Sequence, residues 1–354
     1  MELERDYFKG RGSQINPNNK FAQNKYETEF TEGLDEKFLE NSATKFYQET
    51  PKKIISTNNS PDLCFRQSIN PYQGCEHGCI YCYARNSHEY WGFGAGLDFE
   101  QKIIIKHNAA VLLEETFNKK NYQPDPVMLS GNTDCYQPIE RKLKITRSLL
   151  QVFQRYHHPV SVITKNNLIL RDIDILTELA QENLVHVAIT LNSLNEDLRL
   201  KMEPRTVTAK GRLKAIEKLS NAGIPVFLMC APIIPGLNSD EMPQLIKAAA
   251  ECGARSASFT LVRLNGAIAG IFTDWINKTF PDRAKKVLHA ISESHGGNLN
   301  DSEWYRRSKG SGQMAESIHN LFYLSRKKYM GDAHLPPLCN DLFTPIKGRQ
   351  LKLF

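Results

Sequence analysis

The sequence predicts an α/β protein whose parallel sheet closes, or nearly closes, into a barrel. From about Phe65 to Leu264, short apolar runs bounded by turn residues alternate with longer segments of helical period. Glycine stands where helix C-caps want it, at Asn221-Ala222-Gly223 and Cys252-Gly253. The strand–helix unit recurs six times, which suits a barrel or an incomplete barrel.

In chain order, the expected strands are a short one near Arg66–Asn70, then Val127–Ser130, Val160–Thr164, Val185–Leu191, Pro225–Ala231 and Ser256–Val262. The helices between them are expected over Lys102–Asn118, Ile139–Tyr156, Arg171–Asn183, Ala209–Ala222 and Asp240–Cys252. Residues 1–60 read as a polar extension, irregular or partly helical, with a charged helix near Asp35–Glu49. The barrel occupies 61–265, a helical and basic region follows over 266–334, and a Pro-, Gly- and Lys-containing tail closes the chain over 335–354.

The chain has 354 residues, 41% hydrophobic and 24% charged, which places it among globular proteins rather than disordered ones. The first ten residues, MELERDYFKG, lack the apolar run of a secretory signal, and the most apolar stretch, Ile224–Gly236, is too short to cross a bilayer. A cytoplasmic location with no membrane partner is expected. In that compartment eight cysteines are poor disulfide staples. Net charge is +6, a basic excess that permits a polyanionic partner without demanding one.

Three of the eight cysteines crowd into Cys75-Glu76-His77-Gly78-Cys79-Ile80-Tyr81-Cys82, a Cys-x3-Cys-x2-Cys loop directly after the first strand. A cubane cluster has four irons and normally takes four thiolates, so three from one loop leave an iron without a protein ligand. An open coordination position is what chemistry at a metal requires. Gly74 and Gly78 each precede a ligand and permit the backbone angles of a tight wrap. A structural zinc site would need a fourth ligand from His77, Cys64 or Cys135, none at a familiar spacing. A ferredoxin-type carrier would also want a fourth cysteine.

This spacing, with Tyr81 just before the third cysteine, resembles the signature of the radical S-adenosylmethionine superfamily. The resemblance implies a partial (β/α)6 TIM-like barrel. It also implies a [4Fe–4S] cluster on Cys75, Cys79 and Cys82, S-adenosyl-L-methionine as cofactor, an external electron donor and a 5′-deoxyadenosyl radical. Within the superfamily the chain is similar to the spore photoproduct lyase group and its DNA repair photolyase-like relatives. That similarity spans roughly Gln67 to Asn238. It rests on the cysteine loop, Thr133-Asp134, Thr164-Lys165, Glu203-Pro204, Arg212 and Ala231-Pro232-Ile233. Gly10-Arg11-Gly12, Asn16-Pro17 and Lys20-Phe21 resemble a bacterial subgroup of the same superfamily.

By this resemblance Thr133, Lys165 and Thr190 contact the cofactor's methionine and ribose ends, the backbone of Ala231 meets the adenine, and Tyr81 lies against the adenine. Duller roles stand beside these: a solvated loop lysine at Lys165, a helix cap at Thr133, a turn or salt bridge at Glu203. One position departs from the lyase pattern. The lyase cysteine that returns a hydrogen atom to the product radical corresponds to Gly131, which leaves Cys135, Cys230 and Tyr83 as candidate catalytic residues, with Tyr136 a further candidate relay.

The terminal Gln350-Leu351-Lys352-Leu353-Phe354 resembles the short motif by which bacterial polymerases and repair proteins dock on the DNA sliding clamp. The alternative is a tail folded back to bury Leu353 and Phe354. Basic clusters at Arg141–Lys144, Tyr305–Lys309 and Arg326–Tyr329 could follow a phosphate backbone or simply be solvated. The expected function is a radical enzyme acting on a nucleic-acid or nucleotide substrate in repair. A radical enzyme for a peptide or small molecule, and a DNA- or clamp-binding adaptor with a structural metal, are the alternatives.

Overall fold

The computed structural model describes residues 8–21, 43–63 and 65–346. Its main sheet has seven strands: β2 (Ile55–Thr57), β3 (Gln67–Ile69), β6 (Val127–Leu129), β7 (Val160–Thr164), β8 (Val185–Thr190), β9 (Val226–Ile233) and β10 (Ser256–Leu261). The spatial order is β10-β9-β8-β7-β6-β3-β2. Every pair is parallel except β2 with β3. Order in space follows order in the chain with no reversal, so the sheet winds one way, as a barrel does and a doubly wound sheet does not. The two edges, β2 and β10, do not pair among the described residues, and the barrel is partial.

The strands are rich in Val, Ile and Leu because parallel strands under a layer of helices are buried on both faces. Val127, Leu129, Val160, Val162, Val185, Val187, Val226 and Leu228 are all fully buried. Helices Ile145–Arg155, Ile173–Gln181, Ala209–Asn221 and Met242–Glu251 connect successive strands. The predicted helix over Ile139–Tyr156 is broken at Lys144, whose φ is +54°. The break lets the Glu140 carboxylate accept from the Thr146 amide (3.1 Å), supplying the acidic cap that the second segment needs.

Two expectations are corrected. Lys102–Lys106 is a strand, β5, where the sequence reading placed the start of a helix that in fact begins at Ala109. Its Ile103-Ile104-Ile105 run is stiff at χ1 and packs better on a pleated surface. Lys45–Glu49 is likewise a strand, β1, where a charged helix was expected; residues 35–42 of that expectation lie outside the described residues. β1 pairs in parallel with β5, and β5 pairs antiparallel with β4 (Tyr72–Gln73). This small second sheet anchors the chain immediately before Cys75.

After Leu264 the chain is helical, with segments Ala267–Thr279, Pro281–Ser294, Arg306–Lys309 and Gly312–Met330. The tail then runs back along the barrel. Cys339 N donates to Asn183 O (2.9 Å), Thr344 N to Tyr156 O (3.1 Å), and Phe343 packs on Phe117 and His158. The pentapeptide Gln350–Phe354 and Cys64 lie outside the described residues. No described helix is long and apolar enough to cross a membrane.

Candidate active site

The cysteine loop leaves β4 at the C-terminal end of β3, where a parallel barrel carries its chemistry. Gly74 (φ +75°) and Gly78 (φ +68°) both adopt left-handed backbone. A Cβ on Gly78 would lie 2.7 Å from a Glu100 carboxylate oxygen, and one on Gly12 would lie 1.8 Å from Gly78 O. The loop is therefore packed backbone to backbone against the N-terminal arm. Arg85, fully buried, donates from Nε and Nη2 to Cys79 O and from Nη2 to Glu100 Oε1 (2.5 Å). Glu100 also accepts the amides of Gly12 (3.0 Å) and Ser13 (2.8 Å). One buried ion pair thus binds the arm, the loop and the segment before β5 into a unit. On the other side, Gln137 accepts from Glu76 N and donates to Gly74 O.

Cys75 and Cys79 are buried, Cys82 is half-buried, and all three are free. Burial pushes the Cys79 thiol well up, the carboxylate of Glu203 adding to it. Burial and the neighbouring Cys75 push Cys82 up to about 11. Buried thiols held in the protonated form, as Cys79 and Cys82 are, become thiolates when a cation binds them. Among the described residues no three His, Cys, Asp or Glu side chains converge on a single ion. A cubane has no such requirement, since each thiolate binds its own iron. The loop fits a [4Fe–4S] cluster.

At the ends of β7 and β8 the structure brings Tyr81, Lys165, Glu203 and Arg212 together. The Tyr81 hydroxyl donates to Glu203 and accepts from Asn192 Nδ2 (3.1 Å). Arg212 donates to Glu203, to Thr190 O (3.0 Å) and to Val207 O (2.9 Å). Lys165 Nζ stands 3.9 Å from Glu203 and 5.9 Å from the Tyr81 ring centre, so it points into the barrel rather than into solvent. Burial alone would raise the Glu203 carboxyl, but Arg212 and Lys165 outweigh it and hold the group at about 2. Asp134 is also held at about 2: burial opposes ionisation, while His77, the Lys165 amide and the Thr164 hydroxyl favour it.

Thr133 donates its hydroxyl to Tyr72 O (2.6 Å), tying the end of β6 to the strand before the cysteine loop, and does not cap a helix. The Thr190 backbone carbonyl is taken by Arg212, and Ala231 is half-buried on β9. Tyr83 is half exposed, and its hydroxyl donates to Gly131 O, at the very position where the lyase pattern has its cysteine. Cys135 and Cys230 are instead fully buried members of the main core, their thiols pushed up by burial. Tyr136 is buried with its hydroxyl on Asp172 (3.0 Å). A surface cleft of about 520 Å³, lined by Asn195, Lys201, Asp240 and Arg283 among others, holds none of the expected site residues.

Sequence reasoning missed Glu100 and left the Gly10–Gly12 arm without a role. Neither sits in a periodic pattern or a spaced motif. Their partners are up to 89 residues away, and only the fold pairs them.

An α/β partial barrel with a three-cysteine loop at the end of its first parallel strand defines a class. The chain belongs to the radical SAM superfamily, whose family profile matches residues 69–249, just over half of the chain. An uncharacterised protein of Mycobacterium tuberculosis is 32% identical over 226 residues, 63% of this chain and 66% of its own length. An uncharacterised protein of Methanocaldococcus jannaschii is 28% identical over 197 residues, 56% of this chain and 71% of its own. The chain thus spans just under two thirds of the mycobacterial relative. Spore photoproduct lyase complexed with dinucleoside spore photoproduct has the same fold, with a TM-score of 0.59, 15% identity and 82% of each chain covered. Membership of the superfamily implies a [4Fe–4S] cluster and S-adenosylmethionine.

Proposed function

We propose that this protein is a radical S-adenosylmethionine enzyme whose cluster is held by Cys75, Cys79 and Cys82 and whose substrate is a nucleic acid or nucleotide. The observation that carries the reading is the cysteine loop itself, buried at the strand ends and clamped by Arg85 and Glu100. When bound, the cluster and S-adenosylmethionine together supply a 5′-deoxyadenosyl radical that takes hydrogen from a substrate.

The chain's own residues position and shield that chemistry. Arg85 fixes the carbonyl of Cys79 and so the orientation of the loop. Lys165, beside Glu203 and Tyr81, and the backbone at Ala231 on β9 are the contacts proposed for the cofactor's carboxylate and adenine. Tyr81 presents its ring to the same space, while its hydroxyl is held by Glu203 and Asn192. These polar groups are preorganised and need not reorient during reaction. For return of a hydrogen atom, Tyr83 is favoured over Cys135 and Cys230. It is accessible and sits against Gly131, whereas both thiols are sealed in the core.

The nucleic-acid class draws support from the basic excess and from the lyase-like residues at the strand ends. The test is anaerobic reconstitution with dithionite, S-adenosylmethionine and ultraviolet-damaged DNA. 5′-Deoxyadenosine together with a change in the DNA lesion is expected. 5′-Deoxyadenosine with every nucleic acid left unaltered points instead to a peptide or small-molecule substrate.

A further inference from the structure

Arg263 lies two residues beyond β10, at the open edge of the barrel mouth. It is half-buried, with its guanidinium 5.9 Å from the centre of the Tyr83 ring. Among the described residues it has no hydrogen-bonded or ion-paired partner, and both nearby carboxylates are already engaged. Asp62 accepts from Arg307 Nε (2.6 Å) and from the Tyr305 amide (3.1 Å). Asp301 accepts from Arg306 Nε (2.8 Å) and is paired with His295 (3.2 Å). Arg307 adds a second positive charge facing Arg263. A partly desolvated guanidinium whose two nearest carboxylates are already bonded to other cations is costly, and a fold that keeps one at the mouth of a site leaves it to be neutralised by a ligand.

We infer that Arg263 is the residue that grips the substrate's phosphodiester, seating a nucleic-acid strand so that one nucleoside lies over Tyr83. The inference rests on the nucleic-acid reading above and names the contact that would give it affinity. Arg suits the task because its planar fork matches two phosphate oxygens. The surroundings suit a single strand. Trp304 and Tyr305 are 59% and 54% exposed, and Tyr305 bonds to the same Asp62 that holds Arg307. Exposed aromatics interleaved with cations stack bases while tracking a backbone. The Asp62–Arg307 pair also links the loop after β2 to the short helix Arg306–Lys309.

The test is fluorescence anisotropy of a labelled single-stranded oligonucleotide with the full-length, anaerobically reconstituted protein over a range of salt concentrations. Arg263→Gln is expected to weaken binding about tenfold at low salt and to flatten the log–log salt slope by about 0.7, the loss of one phosphate contact on a single strand. Arg263→Lys is expected to restore the slope with only part of the affinity, which separates a lost charge from a lost fold. Unchanged affinity and slope in Arg263→Gln, with the wild type binding DNA, would overturn the assignment of Arg263 alone. A weaker complex with an unchanged slope would overturn it too. No binding by the wild type would overturn the nucleic-acid reading. Equal competition by an acidic peptide of matched charge would overturn the choice of phosphate.

Discussion

Tyr81 donates its hydroxyl to Glu203, 122 positions further along the chain. Glu203 in turn receives Arg212 and faces Lys165, so the residue before the third cysteine is fixed from the ends of β7 and β8. The arrangement gives Glu203 two tasks at once: it neutralises two cations in a buried site, and it orients an aromatic ring beside the cysteine loop.

Replacing Glu203 with Gln leaves Arg212 buried without a counter-charge. Loss of one partner of a buried pair costs about 3–5 kcal/mol. A urea titration of the anaerobic protein is expected to show the midpoint falling accordingly. An unchanged midpoint would mean that Arg212 finds another partner.

The same group shapes the acid limb of stability. The native Glu203 carboxyl sits at about 2 against an ordinary 4.5, so its contribution is complete above about 4.5 and is lost as pH falls towards 2. Between those values wild-type stability is expected to fall more steeply than that of Glu203→Gln. Parallel curves would contradict the electrostatic account of the site.

Gly12 has no room for a side chain, since a Cβ there would meet Gly78 O at 1.8 Å. Gly12→Ala is expected to cost about 1–3 kcal/mol, the usual range for forcing extra atoms into a packed site. The arm would lift from the loop. Faster proteolysis of the first 20 residues and faster loss of iron on dilution are the measurements. Wild-type behaviour in both would show that the arm is dispensable to the loop.

Much of the barrel was legible in the sequence. The strands at Val160, Val185, Val226 and Ser256 announced themselves as short apolar runs after helices, the last two behind Gly223 and Gly253, because strands under a layer of helices have little choice of side chain. Lys102–Lys106 did not: no turn residue stands between its apolar run and the helix that begins at Ala109 other than His107-Asn108, and the helical segment absorbed it. In the site, the cysteine loop was readable because ligand spacing is local. The Glu203–Arg212–Tyr81 network was readable only in part, and the Arg85–Glu100–Gly12 clamp not at all. The hydrogen bonds from Tyr81 to Glu203 and from Gly12 to Glu100 join segments 122 and 88 residues apart and leave no spacing to detect.

Tyr83→Phe removes the hydroxyl that rests on Gly131 O. If Tyr83 relays hydrogen, 5′-deoxyadenosine should still form while substrate product falls about tenfold, equivalent to about 1.4 kcal/mol on the later step. The ratio of the two, read by liquid chromatography, separates this from general damage. An unchanged ratio would remove Tyr83 from the reaction.

The most direct measurement is the iron content and electron paramagnetic resonance spectrum of oxygen-free protein, with 5′-deoxyadenosine formation, in wild type and in Cys79→Ala. About four irons per chain, a reduced-cluster signal perturbed by S-adenosylmethionine, and loss of the signal and the nucleoside in the variant are expected. Zinc in place of iron, or equal nucleoside from both proteins, would contradict the cluster assignment.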